Sequence, residues 1–355
     1  MSGDPDRCDS RARHPPQRIA EFWLPEGVCD VSERPHFPAR PTFSFELYPP
    51  RSGDAEAALY ASIAELVAAS PEFISVTYGA SGSTRGLSLA VLTHMLSTTS
   101  VKPMAHLTCV GSSYAEASGL IREFLDAGIT SFLALRGDPP AGSTEDDDFL
   151  GDLGSAGELV QLIHRVQKER EPFRFGDVPG FPGAKRVESG EKVTIAVAAF
   201  PNGHPRSRSV EQDLDTLLAK EAAGANLAIT QLFFHADEYL SFVERAREAG
   251  VTMRILPGIM PVLSIRRLER IIELTGEETP VDLHRALESA GDEEAQRRVG
   301  IAHAIELGTS LLDGGAPGLH LYTFNQHSAP LAVLRGVGLL DDAARYPSLE
   351  ESDIA

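Results

Sequence analysis

The sequence predicts an α/β protein, a (β/α)8 TIM barrel with a closed parallel sheet, and three observations lead there. Eight short apolar runs, each bounded by Pro, Gly or polar residues, recur between residues 42 and 325. Longer stretches of helical pattern lie between them, and strands alternating with helices in this way suit a closed parallel barrel. No glycine-rich nucleotide turn follows the first run, which disfavours the main competitor, an open doubly wound sheet.

In order, the runs are "TFSFEL" (42–47), "FISVTY" (73–78), "PMAHLTC" (103–109) and "SFLALRG" (131–137). They continue with "VTIAVAAF" (193–200), "NLAITQLFF" (226–234), "MRILPGIM" (253–260) and "LHLYTFN" (319–325). Helical patterns include "AEAALYASIAELVAAS" (55–70), "SYAEASGLIREFLDAG" (113–128) and "VEQDLDTLLAKEAAGA" (210–225). The last two stop at a glycine, a usual helix terminator. The acidic segment 142–155 reads as a solvated loop, and the Pro/Gly-rich segment 169–192 as a surface insertion. Residues 1–40 are expected to form a disordered tail, 41–340 the barrel and 341–355 a C-terminal tail.

Composition narrows the function. The 355 residues carry 32 Lys plus Arg against 51 acids, a net charge of −19. Such a charge repels nucleic acid and acidic membrane, so neither is an expected partner. An anionic ligand needs only a local positive patch. Cys8, Cys29 and Cys109 show no metal-ligand spacing and leave one cysteine over from any pairing, which fits a reducing cytoplasm. No run approaches the ~18 apolar residues of a spanning helix, and the N-terminal residues lack the apolar core of a secretory signal. His94, His106, His204 and His235 show neither HExxH nor paired-cysteine spacing, so no metal is expected.

In such barrels the chemistry sits at the C-terminal strand ends. Those ends carry Glu46, Thr77, Thr108, Asp138, Gln231 and Asn325, with His106 inside the third run. Alternation puts Ser44 and Glu46 on one face and Phe43, Phe45 and Leu47 on the other. If Glu46 points into the mouth, burial would raise its pKa and let it hold a proton near neutrality. Each residue also has a plainer reading: an acid that caps a helix, a hydrogen-bonded structural histidine, a glutamine that ties down a loop. Pattern alone stops at a barrel enzyme with a polar mouth.

The motifs "FSFELYPP", "SVTYGASGSTR", "AHLTC", "LALRGDPP", "AAFPNGHP", "AGANLAITQLFF", "PGIMPV" and "HLYTFN" stand in this order between residues 42 and 338. With them the chain resembles the methylenetetrahydrofolate reductases. The resemblance implies a barrel holding FAD, with hydride passing from NAD(P)H through flavin to 5,10-methylenetetrahydrofolate. The product would be 5-methyltetrahydrofolate, the methyl donor for methionine synthesis. By resemblance Glu46 is the acid that protonates the folate, and Asp138, the second catalytic residue, contacts the pterin, lies near the flavin and stabilises positive charge developing on the folate. Gln231 binds the pterin, its amide both donating and accepting. The flavin set carried over comprises Thr77, Tyr78, Ala80, His106, Arg136, Gly137, Asp138, Ala156, His204, Asp213 and Lys220. Arg136 and Lys220 would meet the diphosphate and Asp213 the ribose hydroxyls.

Several positions depart from the family pattern. Ser155 and Phe200 stand where tyrosines are usual in flavin contacts, and Ala219 replaces a basic residue. Gln326 stands where an arginine often grips the folate's glutamate tail. Arg267, aligned with a folate-contacting glutamine, is a candidate replacement cation. A flavin-free reductase and a catalytically silent folate-binding protein are the competing readings. The resemblance also implies a homo-oligomer.

Overall fold

The computed structural model describes residues 40–50, 52–78, 85–137, 150–170 and 192–341. Ala80, Asp138, all but one residue of each expected tail and most of the acidic loop and Pro/Gly-rich insertion lie outside them.

The predicted barrel is the observed fold. Its first half runs β1 (Thr42–Leu47), α1 (Gly53–Ala68), β2 (Phe73–Val76), α2 (Arg85–Thr98), β3 (Lys102–Thr108), α3 (Tyr114–Asp126), β4 (Ser131–Leu135) and α4 (Ala156–Arg170). Then come β5 (Thr194–Ala199), α5 (Val210–Ala222), β6 (Leu227–Thr230), α6 (Ala236–Glu248), β7 (Arg254–Leu256) and β8 (Gly258–Ile259). Helices α7 (Ile265–Thr275), α8 (Val281–Ser289) and α9 (Glu293–Asp313) precede β9 (Gly318–Tyr322) and α10 (Ser328–Gly336). Every strand pairing is parallel, in the order β7-β6-β5-β4-β3-β2-β1-β9-β8.

Nine labels describe eight staves. The predicted run 253–260 breaks at Pro257, which has no N–H to give a ladder. Its first part pairs with β6 and its second with β9, which closes the sheet. The Pro257 carbonyl still accepts the His320 N–H at 2.9 Å. Gly258 is required at the seam, because a Cβ there would lie 2.4 Å from the Thr230 carbonyl oxygen and 2.8 Å from the Tyr322 ring.

Alternation sorts the side chains as expected. Phe43, Phe45 and Leu47 join the large core between sheet and helices. A smaller apolar cluster (Phe73, Met104, Leu133, Ala196, Leu227, Ile229, Leu256) takes one or two residues from each of β2 to β7 and plugs the barrel interior. A fully buried ring such as Phe45 or Phe132 contributes roughly 1.5–3 kcal/mol. Helix starts are capped: Ser113 and Glu116 form a capping box on α3, and Ser209 accepts the Gln212 N–H on α5. The glycines expected to stop these two helices do so just past the cap, Gly128 at φ +89° and Gly224 at φ +110°.

Strands β2, β4, β6 and β9 end before their apolar runs do. Thr77, Tyr78, Arg136, Gly137, Gln231 and Asn325 therefore lie on the loops of the mouth and not in the ladder. Among the described residues no helix is long and apolar enough to cross a membrane.

Candidate active site

Inside the mouth, β1, β3 and β9 bring three polar side chains together. Glu46 Oε2 lies 3.5 Å from His106 Nε2 and 3.7 Å from His320 Nε2, within ion-pair reach but longer than a good hydrogen bond. Both imidazoles are buried, while a fifth of the Glu46 side chain stays open to the mouth. Ser44 Oγ sits 2.8 Å from His320 Nδ1 and fixes that ring from behind. The Tyr322 ring stands edge-on to His320, and its hydroxyl crosses to the Thr230 carbonyl at 2.8 Å.

Sequence reasoning put Glu46 in the mouth, and there it is. The expected rise in its pKa is not found. Burial does push the carboxyl up, but the His320 contact and the nearby charges of His106 and His320 outweigh it and hold it below its usual value. His106 is in turn held down, by burial first and by His320, with Glu46 opposing. The Tyr322 phenol is driven far above its usual value by burial and then by Glu46, so it stays neutral.

Across the mouth the chemistry is cationic. The loop after β5 carries Phe200 and His204, packed edge to face at 4.6 Å. Burial lowers the His204 pKa; Asp213 opposes, and Lys220, Arg206 and Arg136 add to the lowering. Lys220 reaches in from α5 with its Nζ 2.8 Å from the Ala198 carbonyl, and burial brings its pKa down to about 8. Both Asp213 oxygens are engaged, Oδ2 by the His204 N–H at 3.1 Å and Oδ1 by the Ser207 hydroxyl. Gly137 follows Arg136 at φ +84°, and a Cβ there would lie 2.5 Å from Val110 Cγ2.

A third group lines the rim. Arg267 on α7 lays its guanidinium 4.6 Å from the centre of the exposed Phe324 ring. Burial lowers its pKa, opposed only by Tyr48. Gln231 is half-buried, and its Oε1 accepts the Leu232 N–H at 2.9 Å.

A family model described as "Methylenetetrahydrofolate reductase" matches residues 33–338. Among curated relatives, the Escherichia coli K12 5,10-methylenetetrahydrofolate reductase is 31% identical over 297 residues, covering 83% of this chain and 90% of that protein. The chain belongs to the methylenetetrahydrofolate reductase family. An Arabidopsis thaliana relative, methylenetetrahydrofolate reductase (NADH) 1, is 32% identical over 317 residues, 86% of this chain and 50% of the relative. The chain thus spans about half the length of the plant relatives it matches. A solved structure described as an uncharacterized Clostridium thermocellum protein that binds two copies of 5-methyl-5,6,7,8-tetrahydrofolic acid aligns with a TM-score of 0.53. At 11% identity, over 84% of this chain and 94% of that one, the likeness is one of fold.

Within this family framework the structure brings together two parts of the expected set. Glu46 and His106 meet; Arg136, Phe200, His204, Asp213 and Lys220 form the cationic side. Thr77 and Tyr78 are half-buried on the loop after β2. Ser155 is exposed and accepts the Glu158 N–H at 3.2 Å as the cap of α4, with Ala156 buried as the first helical residue. Gln326 is exposed. Asn325, one of the polar strand-end residues, spends its amide on Tyr48: Oδ1 accepts the Tyr48 N–H and Nδ2 donates to the Tyr48 carbonyl. His320 and Tyr322 were missed. The signal was present in "LHLYTFN", where alternation from Leu319 and Leu321 turns both inward with Glu46.

Proposed function

We propose that the chain is a flavin-dependent oxidoreductase that reduces 5,10-methylenetetrahydrofolate to 5-methyltetrahydrofolate with NAD(P)H and so supplies methyl groups for methionine synthesis. The observation that carries this reading is the Glu46 carboxyl, set between two buried imidazoles at the open end of a barrel of this family. Opening the substrate's five-membered ring to a reducible iminium needs a proton on nitrogen. Glu46 is the acid that gives it, from a pocket lined by groups that lend and recover protons. Gln231 offers its amide N–H groups to the pterin, and Arg267 its guanidinium to the glutamate tail. Asp138 and Gln326 complete the expected folate contacts.

Bound FAD would carry hydride from nicotinamide to folate. The residues present fit such a group: Lys220, Arg206 and Arg136 all act on His204, so positive charge gathers on one side of the mouth in a protein of net charge −19, which supports the binding of a diphosphate there. Arg136, Gly137, His204 and Lys220 would hold the diphosphate. Thr77, Tyr78, Ala80, His106, Asp138, Ser155, Ala156, Phe200 and Asp213 make up the rest of the flavin set. Plant relatives carry NADH in their names, which favours NADH as the donor. A cytoplasmic homo-oligomer belongs to the same reading.

A second reading has an observation in its favour. Asp213 and Ser155 are occupied by backbone and side-chain partners within the chain, and the same cations would serve a nicotinamide dinucleotide passing hydride directly to folate. One absorption spectrum and one paired assay separate the possibilities. The flavin reading expects a yellow protein with one flavin per chain that reduces both menadione and methylenetetrahydrofolate. A colourless preparation that reduces the folate regardless of added FAD supports the second. Menadione reduction without any folate reduction would overturn both.

A further inference from the structure

His106 Nε2 and His320 Nε2 are buried without hydrogen-bond partners, and both stand close to the same atom, Glu46 Oε2. Unsatisfied buried nitrogens are costly and call for a use. A metal is the obvious one for two imidazoles and a carboxylate, yet among the described residues no group of three His, Cys, Asp or Glu is arranged to hold an ion. A proton is a mobile species that two imidazoles and a carboxylate can share.

We propose that Ser44, His320 and Glu46 form a proton-holding line in which His320 is a positioning residue, storing one proton beside Glu46 until the folate takes it. This rests on the reading of Glu46 as the folate's acid. The imidazole is locked in place for that role. Ser44 fixes Nδ1, Phe73 stacks on one face at 5.7 Å, Tyr322 stands edge-on at 5.4 Å, and none of the residue is exposed. In the imidazolium, Nδ1–H donates to Ser44 Oγ and Nε2–H faces Glu46 Oε2. The proton passes from Nε2 to the carboxylate and then from the carboxyl to the substrate nitrogen. The Nε2–H bond breaks and an N–H bond forms on the folate. Glu46 ends as carboxylate and His320 as neutral imidazole, to be reloaded from solvent.

The line resolves a conflict in the site. A carboxyl held below its usual value would be empty of its proton at neutral pH. Beside His320 the carboxylate need not hold that proton itself, because the two groups can share it as a pair. Among the described residues the other titratable neighbours are His106 on β3, held down by burial, and Tyr322 on β9, which stays neutral.

The test compares wild type with His320→Gln in pH profiles of folate reduction, with menadione reduction as the control for folding and hydride supply. Folate reduction at neutral pH is expected to fall about tenfold to a hundredfold, and its decline with rising pH to shift about one unit or more lower. If His320 were only a neighbour that depresses Glu46, its loss would raise the carboxyl pKa, so a limb that stays put or moves upward overturns the proposal. Should His320→Gln fail to fold, Ser44→Ala is expected to give a smaller shift in the same direction, and no shift there also counts against it. A measurement independent of turnover is the histidine 15N titration by NMR. Glu46→Gln is expected to change the pH-dependent 15N shifts of His320, and unchanged shifts sink the pairing. If the wild type never reduces the folate, the functional reading fails while this titration still decides the pair.

Discussion

Around β1, β3 and β9 a single carboxyl is shared by two imidazoles, and neither Arg nor Lys is among the groups acting on it. Around β4, β5 and α5 the proportions reverse: Lys220, Arg206 and Arg136 act on one histidine, with Asp213 as the opposing acid among the described residues. The difference separates two kinds of work. A guanidinium beside Glu46 would hold it permanently ionised, whereas an imidazole can give a proton up near neutral pH. The two guanidiniums on the other side keep their charge across that range, which would suit the diphosphate of the proposed cofactor. On the proposed function, the mouth places proton chemistry and anion binding on separate staves of one sheet.

The largest expected effect breaks the proton side alone. Glu46→Gln keeps the shape of the side chain and removes its acid. Folate reduction is expected to fall by about 10²–10⁴-fold, while NAD(P)H-dependent menadione reduction stays near wild type. Stopped-flow measurement of the two half-reactions checks this. Equal loss in both would mean that Glu46 supports the site's structure and donates no proton.

Next comes the cationic side. Lys220→Met preserves packing and removes the ammonium, and the flavin dissociation constant is expected to rise about tenfold to a hundredfold, as loss of a charge-assisted contact implies. Because burial brings the Lys220 pKa down to about 8, wild-type affinity for flavin should weaken as pH rises through that value, and the variant should lack this limb. Stability has its own sign. Between about 8 and 10.5 the unfolded chain keeps the Lys220 proton that the folded chain has lost, so this group makes stability rise with pH across that window. Fluorescence titration of flavin and thermal melts at several pH values read the two effects separately.

A smaller effect concerns the rim, where the Arg267 guanidinium sits over the Phe324 ring. Arg267→Gln restores the residue type expected from the family resemblance. It should raise KM for the glutamate-bearing folate by about tenfold with kcat unchanged, the signature of lost uniform binding. A folate analogue lacking the glutamate tail should respond equally in both proteins. A kcat effect of similar size would place Arg267 in the chemistry itself.

How much of this was legible in the residues varies with what each signal reports. The staves were readable because their apolar runs are short and punctuated, and Glu46 because alternation from Phe43, Phe45 and Leu47 leaves it the opposite face. Three helices between β8 and β9 went unread, though Ser264 caps α7 and Gly276 ends it with a positive φ. They pack a separate small core on Leu232, Phe234 and Met260, which a strand reading assigns to the ends of runs, and on Val262 just beyond them. The sign of the Glu46 shift was out of reach for a different reason. Burial belongs to one segment, but the two imidazoles that outweigh it come from strands far away in the chain. Asn325 looked like site chemistry and proved to be a clamp, because only the fold reveals that its amide meets both backbone groups of Tyr48.

The smallest expected effect asks whether the start of α4 belongs to the cationic side or only to the scaffold beneath it. Ser155 stands at a flavin position by resemblance, yet its hydroxyl oxygen accepts the Glu158 N–H, and Glu158 in turn accepts the Gly154 N–H. Those bonds describe a helix cap, whose loss costs about 1 kcal/mol and lowers Tm by roughly 2–4 °C in a domain of this size or somewhat smaller. Ser155→Ala should show that loss with flavin affinity unchanged within about twofold, since the hydroxyl has no charge to give a phosphate. A flavin dissociation constant that rises tenfold with no change in Tm would move Ser155 into the cofactor's contact set. It would also extend anion binding from the end of β4 onto the first turn of α4, where the helix N-terminus carries partial positive charge.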